Sequence, residues 1–253
     1  MKVKRIEYTV VEPVGGFIIR RYQIIVDLDT QGDKLIKYSY LNSEFMSEQL
    51  GLFGEPEKQE PTKLEIGPRV QYFDLETQKS ADDVGGWGNI HKMGITVGVV
   101  WDSVDKDYFV YEEKDAKKLV EKLRTADLVV GFNVIGFDYT VLQPYSDFDL
   151  QEINTFDMLK DIHKLLSFRL SLKHLAQHTL GKDKADGAES GLYALELYKK
   201  GEIGKLIKYC KQDVEITRDL YLYGEQHGYV NYQSRSGNPL QLEVAWKTAN
   251  FTS

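Results

Sequence analysis

Apolar and polar positions alternate with two different periods along the chain. From Phe17 to Leu28, Tyr22, Ile24, Val26 and Leu28 alternate with Gln23, Ile25 and Asp27, the period-two pattern of a half-buried strand. Strands are also predicted over Val3–Val11 and Lys34–Leu41, joined through Pro13-Val14-Gly15-Gly16 and the turn Thr30-Gln31-Gly32-Asp33. Such a β meander holds little core of its own. From about Asn42 to Pro68 the pattern dissolves into Glu, Gln, Ser, Gly and Lys with Pro56, Pro61 and Pro68, a composition that suits a flexible linker.

Strand and helix signals alternate after that. Val70–Thr77 is a short apolar strand, and Met93–Asp102 and Tyr108–Tyr111 complete a meander with it, beyond the Gly-rich loop Ala81–Asn89. Asp115–Thr125 is a predicted helix with Asp115 as N-cap. Leu128–Phe132 is a buried parallel strand, Phe137–Leu142 opens a helix, and Phe156-Asp157 ends a short strand. Helical periodicity then covers Met158–Leu166, Leu172–Leu180, Glu189–Lys200 and Ile203–Gln226. A last hairpin pairs Tyr229–Tyr232 with Leu240–Trp246. The order predicts an α/β mixed sheet with helices on both faces, plus a small N-terminal β meander. The expected division is a β annex (1–41), a linker (42–67), a main domain (68–226) and a C-terminal hairpin (227–253).

Composition narrows the classes. With 253 residues, 42% hydrophobic and 28% charged, the chain is an ordinary globular one with room for a real core. Its single cysteine, Cys210, excludes disulfides within the chain and suits a reducing compartment. Met1–Arg5 leads into no apolar stretch and no long apolar run follows, so neither export nor membrane spanning is expected, and the location expected is cytoplasmic. A net charge of −7 argues against binding nucleic acid by bulk electrostatics. It leaves room for an enzyme whose acids hold metal and whose lysines form a local track.

Three short constellations carry candidate chemistry. Asp74 and Glu76 stand two apart in the Val70–Thr77 strand and therefore share a face. Two carboxylates so close repel, and a divalent cation with hard oxygen ligands relieves that repulsion. Alone, the pair could equally be a solvated strand end. Asp138 closes Asn133-Val134-Ile135-Gly136-Phe137-Asp138 at a strand-to-helix corner, where a capping aspartate is also common. Tyr209 and Asp213 are i and i+4 on the last long helix, hence on one face, as a plain surface pair would be.

Together the three segments resemble the motifs of the DnaQ-like (DEDD) exonuclease superfamily, on the ribonuclease H-like fold. Phe73-Asp74-Leu75-Glu76-Thr77 matches the first motif, Asn133–Asp138 the second, N-x-x-x-F-D, and Tyr209–Asp213 the third, Y-x-x-x-D. The tyrosine branch is the nearer one, because the histidine branch needs His where Lys208 stands. That branch includes proofreading domains of family-B DNA polymerases, RNase D and exonuclease domains found beside bacterial helicases. The resemblance implies a 3′→5′ exonuclease on single-stranded DNA ends, in replication or repair, using two Mg²⁺ or Mn²⁺ ions. It implies that Asp74, Glu76, Asp138 and Asp213 hold the ions and that Tyr209 orients the attacking water. Thr77, Asn133, Phe137 and Lys205 would contact nucleic acid. An RNase D-like exoribonuclease and a non-catalytic nucleic-acid-binding module are the alternatives.

Further positions have bland readings beside functional ones. His174 and His178 share a helix face but lack the Glu of an H-E-x-x-H zinc site. Asp157 reads as the N-cap of the following helix. Lys199, Lys200, Lys205, Lys208 and Lys211 could track a phosphate backbone or simply be solvated, and Lys2, Lys4, Arg5, Arg20 and Arg21 likewise. Trp87 could stack on a base or sit in a core. Gln49-Leu50-Gly51-Leu52-Phe53 resembles the bacterial sliding-clamp-binding pentapeptide Q-L-[S/D]-L-F, departing only at Gly51. In that resemblance Gln49, Leu50, Leu52 and Phe53 contact the clamp, which favours DNA as substrate and a bacterial or phage source. A helicase partner is the other expectation.

Overall fold

The computed structural model describes residues 5–14, 18–28, 34–41, 67–182 and 191–252, and the chain divides into two units, Met1–Glu65 and Ile66–Ser253. In the first unit β1 (Arg5–Val14), β2 (Ile18–Leu28) and β3 (Lys34–Leu41) form an antiparallel sheet in that order, the meander that the alternation predicts. The polar stretch after it, with Gln49–Phe53, lies outside the described residues.

In the second unit, apolar side chains leave β4 (Val70–Thr77) in both directions: Val70 and Tyr72 enter one core, Phe73 and Leu75 the other. A strand buried on both faces has to be central. Accordingly β4 is the middle of a five-stranded sheet with β5 (Ile95–Asp102), β6 (Asp107–Glu112), β7 (Leu128–Gly131) and β8 (Thr155–Asp157), in the order β6-β5-β4-β7-β8. β5 pairs antiparallel with β4 and β6, while β4, β7 and β8 run parallel. The expected mixed sheet is therefore present.

Each face has its own apolar layer. On one, Phe73, Leu75, Val100 and Val129 pack with Leu119 and Leu123 of α1 (Ala116–Arg124) and Val141 and Leu142 of α2 (Asp138–Leu142). On the other, Tyr72, Val97, Val99 and Val130 meet Ile162 of α3 (Met158–Leu166) and Leu206, Cys210 and Val214 of α6 (Ile203–His227). A short helix α4 (Leu172–Leu175), which continues as a π turn over Ala176–Leu180, and α5 (Gly191–Lys199) complete this layer.

The hairpin of β9 (Tyr229–Gln233) and β10 (Pro239–Glu243) adds Val230, Tyr232 and Leu242 to the same core, and Trp246 follows it. Trp246 lies against Gly224 of α6 so closely that any Cβ there would collide with the indole. Its Nε1 donates to Asp161 at 2.8 Å. One capping expectation fails. Asp115 has φ −106° and ψ 11° with no side-chain cap, because its carboxylate is paired with Lys118 at 2.7 Å and a 3₁₀ turn over Glu113–Asp115 already leads into α1. Among the described residues no helix is long and apolar enough to cross a membrane.

Candidate active site

Asp74 and Glu76 continue the face of β4 that carries Val70 and Tyr72, so both project toward α6, which packs across β4 and β5. On α6, Cys210 and Val214 are fully buried against the sheet, which turns the neighbouring Tyr209 and Asp213 toward the end of β4. The result is a cluster in which one carboxylate oxygen from each of Asp74, Glu76 and Asp213 lies within 4.8 Å of the other two. Asp74 and Glu76 are half-buried and Asp213 is buried. The sheet is irregular at this point: Glu76 pairs with Val97 but Thr77 with Ile95, so the pairing skips Thr96. A bulge of this kind re-aims side chains beside it. Here it sends Ile95 to the core opposite that of Val97 and Val99.

Cys210, which its apolar position on α6 marks as an anchor of the helix to the sheet, also touches the first acid. Its Sγ lies 3.5 Å from the Asp74 carbonyl oxygen and 3.6 Å from Asp74 Oδ2, and the thiol donates. Burial pushes the thiol pKa up, and the charges of Asp74, Glu76 and Asp213 push it further, so the proton stays on sulfur.

Asp138 heads α2 and is 3% exposed. It is not the N-cap; its Oδ1 instead accepts the Leu75 amide of β4 at 3.1 Å, which ties the start of α2 to the strand between the two acids. Burial raises its carboxyl pKa well above the usual range, and the Asp74 charge adds to the effect against the opposing Leu75 amide. Tyr209 is also buried and packs edge-on against Tyr193 of α5, ring centroids 5.8 Å apart. Burial, then Asp213, Glu76 and Asp74, push the phenol pKa up, which keeps the hydroxyl a donor.

The loop before Asp138 is built by two conformational devices. Gly131 ends β7 where a Cβ would stand 2.7 Å from the Val134 Cβ, so only glycine lets Val134 fold back. Asn133 has φ +69°, a left-handed conformation that Asn tolerates. Asp157 then fixes the loop, accepting from the amides of Asn133 (2.9 Å) and Ile135 (3.1 Å). It also accepts from Lys160 N as the expected N-cap of α3. The loop-fixing role of Asp157 was not legible locally, since its partners are more than twenty residues away.

The nucleic-acid candidates separate. Thr77 and Phe137, with Trp87 and Glu76, line one cavity of about 420 Å³ beside the acids. Trp87 is 70% exposed and stands 6.5 Å from the Phe137 ring, so it is not a core residue. Asn133 does not line that cavity, and its Oδ1 accepts from Arg169 Nη2 at 3.0 Å. Lys205 is exposed and paired with Glu202 at 2.7 Å. His174 and His178 do lie together, ring centroids 4.5 Å apart, but His174 Nε2 accepts the Gln233 amide of β9. That nitrogen serves the hairpin rather than a metal.

The donor set fits a hard divalent cation: clustered carboxylate oxygens, with a further buried carboxyl next to Asp74. A model of the family described as the RNase H superfamily matches residues 71–223, more than half of the chain and the whole span from the β4 acids to Asp213. Among curated proteins, no match to the chain is found.

Proposed function

We propose, from the premise that this chain belongs to the RNase H superfamily, that it is a metal-dependent 3′→5′ exonuclease of the DnaQ-like tyrosine branch acting on single-stranded DNA. RNase H-like nucleases generally work with divalent metals on nucleic acid, and a carboxylate cluster of the required kind is present. The observation that carries the reading is the convergence of Asp74, Glu76 and Asp213 from β4 and α6, with Tyr209 one turn from Asp213.

Asp74, Glu76, Asp138 and Asp213 would hold two Mg²⁺ or Mn²⁺ ions, which supply a hydroxide-like nucleophile at neutral pH and a counter-charge for the leaving 3′ oxygen. Tyr209, whose hydroxyl stays protonated, acts as a donor that orients the attacking water rather than as a base. Cys210 steadies Asp74, and Asp157 keeps the loop of Asn133–Phe137 in place around Asp138. The terminal nucleotide enters the cavity beside Glu76, where Trp87 and Phe137 offer ring faces for its base and Thr77 lies at the wall. The peptide Gln49–Phe53 tethers the enzyme to a sliding clamp, in keeping with a replication or repair role.

The test is incubation of the full chain with 5′-labelled single-stranded DNA and RNA in Mg²⁺, Mn²⁺ or chelator. A ladder shortening from the 3′ end, and only with metal, supports the reading, and the faster polymer identifies the substrate. Internal cuts, or shortening in chelator, would overturn it.

A further inference from the structure

The flank of α6 next to the acid cluster carries a different surface. Lys208 and Gln212 stand one residue before Tyr209 and Asp213, about 100° round the helix from them, and Lys211 is three residues after Lys208 on the same flank. With Tyr108 of the edge strand β6 and Lys182 they line a groove of about 560 Å³. Tyr108 is the cross-strand partner of Trp101, and both rings are partly buried at the margin of the α6-side core.

Cations cover both rings. Lys211 Nζ is 4.6 Å from the Tyr108 ring centre, and Arg218 donates to the Tyr108 hydroxyl at 3.4 Å. Arg218 also lies 4.9 Å above Trp101, where Lys106 joins it at 5.5 Å. Lys182, Lys208 and Lys211 in the groove are thus joined through the Tyr108 and Trp101 rings to Arg218 and to Lys106 in the β5–β6 turn. The acids on this flank, Glu215 and Asp219, are engaged by Lys182 (3.2 and 2.7 Å) and Arg218 (2.8 Å). Lys106, Lys208 and Lys211 form no ion pair among the described residues. Net of Glu215 and Asp219, three positive charges remain on this flank of a chain whose net charge is −7.

We propose that this strip of cations and rings, running along α6 from Lys208 to Trp101 and Lys106, binds the phosphate backbone of a single-stranded nucleic acid beyond the nucleotide held at the acids. The inference rests on the proposed nuclease reading and gives it a substrate class: a strand long enough to reach past α6. Lysines supply counterion release, and the rings supply sequence-tolerant stacking. Lys199, Lys200 and Lys205, also considered in the sequence, do not line this groove, and Lys200 and Lys205 are paired with Glu196 and Glu202.

The experiment measures binding in chelator, so that hydrolysis plays no part and a failure of the nuclease reading shows up separately in the ladder assay. The probe is a labelled single strand several times longer than the groove, titrated across salt concentrations. Lys208→Glu/Lys211→Glu is compared with Lys208→Arg/Lys211→Arg and with Lys117→Glu/Lys118→Glu on the exposed side of α1. The first pair should lose about tenfold or more in affinity, and its salt slope should flatten by about 1.4, at ~0.7 per phosphate contact. The arginine pair and the α1 pair keep wild-type behaviour. An unchanged slope in the reversed pair, an equal loss in the α1 pair, or no binding by the wild type overturns the proposal.

Discussion

Asp213→Asn should make the metal-free protein more stable and the metal-loaded protein less so. Three carboxylate oxygens within 4.8 Å of one another form three repelling pairs when all are ionised. Each pair costs about 0.9 kcal/mol at the dielectric of water and about 3.5 kcal/mol at an effective dielectric near 20. Asp74 and Glu76 are half-exposed, so the lower figure is the better guide. Asp213 takes part in two of the three pairs, and the isosteric amide keeps its packing. The expected gain in chelator is therefore about 2 kcal/mol, which for a domain of this size is roughly 4–8 °C in Tm. A cation at a hundred times its Kd would stabilise the wild type by about 2.7 kcal/mol, and the variant by much less. Thermal unfolding in EDTA and in saturating Mg²⁺ or Mn²⁺ reads both quantities. The melting order should invert between the two conditions. A variant that melts at or below the wild type in EDTA and gains as much from metal would mean that Asp213 is neither repelled by Asp74 and Glu76 nor a metal ligand.

Other outcomes follow from the same geometry. Tyr209→Phe should keep the metal-induced rise in Tm while single-turnover hydrolysis falls about 10- to 100-fold, since only the orienting hydroxyl is lost. Trp87→Ala should weaken capture of the 3′ nucleotide by about 1–3 kcal/mol, seen as a raised KM, with Tm unchanged because the side chain is exposed. Gly131→Ala forces a Cβ to 2.7 Å from Val134 and should cost about 1–3 kcal/mol together with activity, by displacing the loop that ends at Asp138. Away from the site, Asp102 is fully buried; burial opposes its charge, but Lys122, the amides of Asp105 and Val104, and Arg69 outweigh that and hold its pKa low. Its folded value lies below the unfolded ~3.9, so its contribution is present above that pH and is lost as pH falls toward the folded value. Asp102→Ala should cost about 3–5 kcal/mol at neutral pH and flatten the acid limb of the stability profile.

Local pattern was enough wherever one element declares its own face. The apolar run of Val70–Thr77 marks a strand with Asp74 and Glu76 on one face, and the i, i+4 spacing of Tyr209 and Asp213 puts them on one side of α6. What stayed hidden depends on partners distant in sequence. Asp157 reads as a cap because Lys160 is three residues on, while its bonds to Asn133 and Ile135 need β7 and β8 to be paired first. Cys210 meets Asp74 across 136 positions. The skip at Thr96 follows from the pairing of β4 with β5, which no single-strand pattern encodes. The Asp115 cap failed for a local reason: Lys118 competes for the carboxylate.

The claim at the centre is that the Asp74, Glu76 and Asp213 oxygens hold the metal that cleaves a 3′-terminal phosphodiester. Single-turnover release of mononucleotides from a 3′-labelled single strand, followed across a Mg²⁺ titration for the wild type, Asp74→Asn and Asp213→Asn, tests it most directly. The wild type should release mononucleotides only with metal, and both variants should lose at least about 100-fold at every Mg²⁺ concentration. Wild-type release that persists in chelator, or either variant reaching the wild-type rate, would contradict it.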